Sequence, residues 1–98
     1  MKVVWDQAKD RANRKKHGVS FAEGQALLSS EADEVRLDIL DETHSADEDR
    51  FISIGPIARG LVLVVWTERR EDVVRIISAR WATRRESELY AQHFGGES

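Results

Sequence analysis

Leu61-Val62-Leu63-Val64-Val65-Trp66-Thr67 is apolar on both faces of any extended chain it forms. Strand side chains alternate every two residues, so a run without alternation must be covered on both sides. It is therefore expected at the centre of a sheet. The run falls far short of the ~20 residues of a membrane span. Its neighbours supply the flanking strands. Arg50-Phe51-Ile52-Ser53-Ile54 precedes it, joined by the turn Gly55-Pro56-Ile57-Ala58-Arg59-Gly60. Val73 to Ala79, rich in β-branched residues, follows a charged hairpin loop from Glu68 to Asp72. Val35-Arg36-Leu37-Asp38-Ile39 alternates strictly, as a strand with one wet face does. Lys2 to Trp5 reads as a short first strand.

Capping signals place three helices between and after these strands. Asp6 is the N-cap of a helix running to about His17, and Gly18 supplies the left-handed residue that ends it. Its apolar face is weak (Ala8, Ala12), so it should lie on the surface. Ser20-Phe21-Ala22-Glu23 is a capping box opening a helix to about Leu28 or Ser29, and Ser29 to Glu34 is a polar break. Leu40 to Glu48 is an acidic loop. Thr83-Arg84-Arg85-Glu86 is another capping box, and the helix it opens carries Leu89, Tyr90, His93 and Phe94 at helical spacing. Residues 94–98 form a frayed tail. The order β-α-α-β-β-β-β-α predicts one α+β domain over residues 1–98: a mostly antiparallel sheet with helices packed on one face and the other partly open.

Without cysteine there is neither a disulfide framework nor a thiolate metal site, which favours a reducing compartment. Met1-Lys2-Val3-Val4-Trp5-Asp6 reaches charge too soon for a signal peptide, so a soluble, cytoplasmic protein is expected. The net charge of −3 hides an uneven distribution. Lys2, Lys9, Arg11, Arg14, Lys15 and Lys16 gather early, and Arg69, Arg70, Arg75, Arg80, Arg84 and Arg85 gather late. Between them, Glu23 to Asp49 holds ten acids against one base, Arg36. Local field, not total charge, steers a polyanion. The plainer alternative is two solvated basic faces.

Arginine cannot shed its charge, so it sits poorly in a core. Strict alternation puts Arg75 with Val73, Ile77, Ala79 and Trp81, and Arg80 on the opposite face with Val74, Ile76 and Ser78. Both need partners or a cleft. A guanidinium at a strand end beside a helix N-terminus outlines an anion site.

Several patterns together resemble the BrnT toxins. Trp5-Asp6-x-x-Lys9-x-x-x-Asn13-x-x-Lys16-His17-Gly18 followed by Phe21 is similar to their opening signature. Glu48-Asp49-Arg50-Phe51-Ile52-Ser53-Ile54-Gly55 is similar to their acidic-arginine strand entry. Thr67-Glu68-Arg69 and Arg75-Ile76-Ile77-Ser78-Ala79-Arg80-x-Ala82-x-x-x-Glu86-x-x-x-Tyr90 complete the resemblance, which runs from about residue 3 to 90. It implies a type II toxin–antitoxin ribonuclease with a compact RelE-like fold, cleaving RNA without a metal or other cofactor. It also implies a BrnA-like antitoxin in a 2:2 hetero-oligomer, touching DNA only through the antitoxin. One position departs: Trp81 stands where a basic residue is expected, and stacking on a base would replace a phosphate contact.

Metal-independent RNA cleavage needs a base for the 2′-hydroxyl proton, cations for the phosphorane and an acid for the leaving oxygen. With the resemblance, His17, Glu48, Arg50, Arg69 and Arg80 become the candidate catalytic residues. His17 changes charge near neutral pH and ends a helix, though capping that helix is an equal reading. Arg80 and Arg69 offer the planar fork that suits a phosphate, while Arg80 could instead pair with Glu86 or Glu48. Arg50 has acidic neighbours, so a structural ion pair is open for it too. Lys16, Arg75, Trp81, Arg84 and Tyr90 are the candidate RNA contacts, with a solvated role open for Lys16 and a core role for Tyr90. Ser78 has no His and Asp at triad spacing, the three histidines form no metal pattern, and Gly55-x-x-x-x-Gly60 lacks the Lys-Ser/Thr of a phosphate loop. A non-catalytic RNA- or protein-binding module using the same basic surface is the alternative.

Overall fold

The computed structural model describes residues 2–41, 49–70 and 72–95. β4 (Gly60–Arg70) is the middle strand of a five-stranded sheet of order β1-β5-β4-β3-β2. β2 (Leu37–Leu40), β3 (Arg50–Ile57), β4 and β5 (Val73–Trp81) are antiparallel neighbours, and the short β1 (Lys2–Val4) lies parallel to β5. The helices are α1 (Gln7–His17), α2 (Phe21–Leu27) and α3 (Arg84–Gly95). None of them is long and apolar enough to cross a membrane.

The long apolar run thus takes the central place expected of it, but its hairpins are tighter than the sequence suggests. Ile57 pairs with Gly60, leaving only Ala58 and Arg59 as the turn. Gly60 has φ 148°, and a Cβ there would stand 3.2 Å from the Trp81 ring, so glycine serves both the turn and the close approach. At the other end β4 continues to Arg70 and β5 begins at Val73, so most of the expected Glu68–Asp72 loop is strand. The polar break after α2 is a 3-10 helix, Ser30–Val35, and β2 starts at Leu37, two residues late. Arg36 explains the delay. Its guanidinium donates to the Leu27 and Ser29 carbonyls and pairs with Asp33 and Asp38, closing the open end of α2.

Caps fall where the sequence puts them. Asp6 accepts from the Ala8 and Lys9 N–H groups, Ser20 and Glu23 form a reciprocal box, and Gly18 ends α1 at φ 77°. The packing face of α1 is the surprise. Its buried residues are Asp10 and Asn13, whereas Ala8 and Ala12 are exposed. β1 pairs with β5 only over Val73 to Arg75, and α1 continues along the same edge. There the Asn13 amide donates to the carbonyls of Ala79 (2.6 Å) and Val19 (2.9 Å), and its oxygen accepts from the Ala79 N–H. Asn13 pairs the backbone of an otherwise uncovered edge. Asp10 accepts from the Phe21 N–H at 2.8 Å and so fixes the start of α2.

A bulge in β5 sets which side chains share a face. Val65 pairs with Ser78 but Trp66 with Ile76, so Ile77 is the extra residue. Val74, Ile76 and Ala79 consequently share the face of Val62 and Val64, packed beneath Val19, Phe21, Leu27 and Leu28. Arg75, Ser78 and Arg80 all point to the other face, and the expected split of Arg75 from Arg80 is corrected by this one inserted residue. On that second face Ile54 and Leu63 are buried at the end where Arg80 meets Glu86 of α3. Among the described residues, no helix covers its other end.

Candidate functional site

That open end carries a row of three side chains, one from each of three strands. Arg50 on β3 and Arg75 on β5 both pair with Thr67 on β4, and cross-strand partners lie side by side. Thr67 is buried, its hydroxyl donating to the Asp49 carbonyl at 2.7 Å, so the centre of the row is fixed. Arg69 stands two residues beyond Thr67, and Lys9 reaches the same cavity of about 100 Å³ from the first turns of α1. This cavity shares Arg69 and Arg75 with an open groove of about 750 Å³ that also takes in Lys2, Trp5, Asp6 and Arg70.

Arg75 is half-buried and makes no hydrogen bond or ion pair among the described residues. Its electrostatic neighbour is Asp6, but that carboxyl is engaged as the cap of α1. The Lys9 and Ala8 N–H groups hold it below its ordinary value, with the charges of Lys9 and Arg75 adding to the effect. A cation with no direct partner among the described residues, beside two further guanidinia and an ammonium, is arranged for an anion.

The other candidates lie elsewhere. Arg80 is held by Glu86 through two bonds of 2.9 and 2.8 Å, the pairing left open by the sequence. This contact lowers the Glu86 carboxyl and raises the Arg80 guanidinium. Glu86 also accepts from the Thr83 N–H, so one carboxylate ties the end of β5 to the start of α3. Arg80 pairs with Leu63, four β4 residues from Thr67, which puts it about 13 Å from Arg75 along the strand. Tyr90 donates to the Val35 carbonyl at 2.6 Å, and burial pushes its hydroxyl up. Arg84 is fully extended into solvent, 3.7 Å from Glu88.

Half-buried His17 and exposed Lys16 end α1, about 12 Å along its axis from Lys9. Trp81 is close by: a Cβ on Gly18 would meet its indole nitrogen at 3.9 Å. Arg59 lies over the Trp81 ring at 5.1 Å while binding Glu23 and the Gly18 carbonyl. Glu48 falls outside the described residues. Arg50, Arg69 and Arg75 are therefore brought together, His17, Lys16 and Trp81 form a second group, and Arg80, Arg84 and Tyr90 belong to the α3 side. Lys9 and Thr67 join the first group without having been singled out, although Trp5-Asp6-x-x-Lys9 and Thr67-Glu68-Arg69 contain both.

Arg59, and after it the Ser20 N–H, hold the Glu23 carboxyl at about 2, below its ordinary 4.5. Glu23 therefore stabilises the fold above the ordinary value, and that contribution is lost as pH falls through this window. Glu23→Gln is expected to flatten the acid limb of stability there, measured by urea unfolding of both proteins from about pH 4.5 downward.

The comparisons with known proteins agree with one another. The family model for the ribonuclease toxin BrnT of type II toxin–antitoxin systems matches residues 5–86. The crystal structure of the Brucella abortus ribonuclease toxin BrnT superimposes with a TM-score of 0.61 at 25% identity, covering 86% of this chain and 99% of that one. No curated protein matches the sequence.

Proposed function

The chain belongs to the BrnT family of ribonuclease toxins of type II toxin–antitoxin systems, and from that premise we propose that it cleaves RNA, without a metal, at the Arg50–Thr67–Arg75 cleft. The observation that carries this is the convergence of Arg50, Arg69, Arg75 and Lys9 on one small cavity. The RNA 2′-hydroxyl attacks the adjacent phosphorus and the P–O5′ bond breaks. The three guanidinia and Lys9 hold the phosphate and stabilise the phosphorane as its charge grows. Glu48, two residues before Arg50 in sequence, takes the 2′-hydroxyl proton, and the departing 5′-oxygen takes up a proton from solvent.

His17, Lys16 and Trp81 receive the strand further along α1, where the Trp81 ring offers a stacking surface. Arg80 acts through Glu86 by fixing α3, and Arg84 and Tyr90 lie on the side where RNA leaves. A BrnA-like antitoxin, two copies with two toxins, neutralises the activity in the cytoplasm by covering the basic surface, and contacts with DNA are the antitoxin's.

The test is inducible expression of the chain alone in a bacterium, reading growth and total RNA, with the purified protein assayed on RNA in the presence of a chelator. Growth arrest with RNA decay, and a cleavage rate within about twofold with and without chelator, is the expected result. Normal growth and intact RNA with folded, soluble protein would leave binding without catalysis.

A further inference from the structure

The sheet face opposite the guanidinium cluster has a surface of its own. Leu40, Phe51 and Trp66 are cross-strand partners, so they form one row across β2, β3 and β4. Leu40 is 43% exposed, and Phe51 and Trp66 are half-buried. Their rings stack at 4.6 Å and 23°. The polar atom of Trp66 is turned inward: its Nε1 donates to the Ser53 hydroxyl, which donates to Asp38. What remains outward is rigid and apolar, the kind of anchor on which an interface concentrates its affinity.

Carboxylates surround this row. Asp33 and Asp38 share the single guanidinium of Arg36, which leaves an excess of negative charge. Exposed Glu68, which also borders the groove of Arg69 and Arg75, lies two residues from Trp66 along β4, and exposed Asp49 precedes β3. This rim repels RNA. It equally opposes a second copy of the chain, because a two-fold contact would set the rim against itself. A partner with positive charge around apolar anchors fits it.

We propose that the Leu40–Phe51–Trp66 row docks a basic, amphipathic segment of the antitoxin, on the face opposite the cleft; this rests on the reading of the chain as a toxin with a protein antitoxin. The row thereby anchors the antitoxin at a site that the RNA substrate does not use, and the rest of the antitoxin reaches from it over the basic surface.

The experiment is calorimetric titration of the antitoxin encoded beside this chain into wild-type toxin, Leu40→Glu, Glu68→Lys and Arg75→Ala. Leu40 and Glu68 are exposed, and circular dichroism with thermal melting of each free variant checks that both stay folded. Leu40→Glu is expected to weaken the complex about tenfold or more and Glu68→Lys about fivefold, with Arg75→Ala within about twofold. Unchanged affinity in Leu40→Glu and Glu68→Lys, with wild type binding, overturns the docking surface alone. No binding by wild-type toxin overturns the partner reading and the docking surface with it. A toxin homodimer broken by Leu40→Glu would assign the row to a second copy and overturn the proposal as well.

Discussion

Arg75→Ala is expected to lower RNA cleavage by about 10²–10³-fold, the usual loss when one preorganised donor to a developing oxyanion is removed. The same change should leave the fold as stable as before. Arg75 makes no hydrogen bond or ion pair among the described residues, so truncation strands no buried partner. It also stands across Thr67 from Arg50, two strands away. At the ~10 Å this implies, two guanidinia repel by roughly 0.4–1.7 kcal/mol at effective dielectrics of about 80 to 20, so removing one relieves a cost. An anion between them would reverse the sign of that interaction.

Activity and stability therefore separate here, and their separation is the test. Arg75→Lys keeps the charge but loses the planar fork, and should fall between wild type and alanine. Binding to an uncleavable RNA analogue should lose about 0.7 from its logarithmic salt slope, one phosphate contact on a single strand. Steady-state cleavage, salt titration and thermal melting of the three proteins read all of this. Cleavage by Arg75→Ala within about twofold of wild type would remove the cleft from the mechanism, as would a rate loss matched by a drop in melting temperature.

The contrast between Arg75 and Arg80 shows how far a sequence can be read. The central strand and the helix starts were legible because they depend on local patterns: an apolar run, Asp6, Ser20 with Glu23, Thr83 with Glu86. The pairing of Arg80 was legible as one of two options, since Glu86 is already fixed by its box with Thr83. Which arginines share a face was not. Face membership depends on counting by twos, and one extra residue at Ile77 reverses every assignment beyond it. Nothing in Val73 to Ala79 marks that residue except the imperfect alternation itself. The cleft was hidden for a related reason. Arg50, Thr67 and Arg75 are 17 and 8 residues apart in sequence and become a row only through pairing register. Asp33, Asp38 and Asp49 of the acidic rim were visible among the ten acids from Glu23 to Asp49, but its apolar centre was not, because Leu40, Phe51 and Trp66 sit in three separate strands.

The packing of α1 escaped hydrophobic periodicity altogether, and it carries the largest stability effect expected of a single substitution. An apolar reading makes Ala8 and Ala12 the inner face, whereas the buried positions are Asp10 and Asn13. Asn13→Ala removes three hydrogen bonds to backbone groups: two with Ala79 and one with Val19. Both of those residues are fully buried, so water replaces the lost amide poorly. An unsatisfied buried backbone group costs about 1–3 kcal/mol, which puts the whole change at about 3 kcal/mol after partial relaxation. In a domain of this size that lowers the melting temperature by on the order of 15 °C. Asn13→Asp should be worse still, since a carboxylate oxygen would face the two carbonyls that the amide nitrogen now serves. Asn13→Ala stands apart from Arg75→Ala in kind: at a temperature where it remains folded, its cleavage rate should stay within a few-fold of wild type. Thermal melts of the two Asn13 variants, with cleavage measured well below their transitions, decide the matter. A melting temperature for Asn13→Ala within about 2 °C of wild type would mean that the β5 edge finds other partners and that α1 is held by something else.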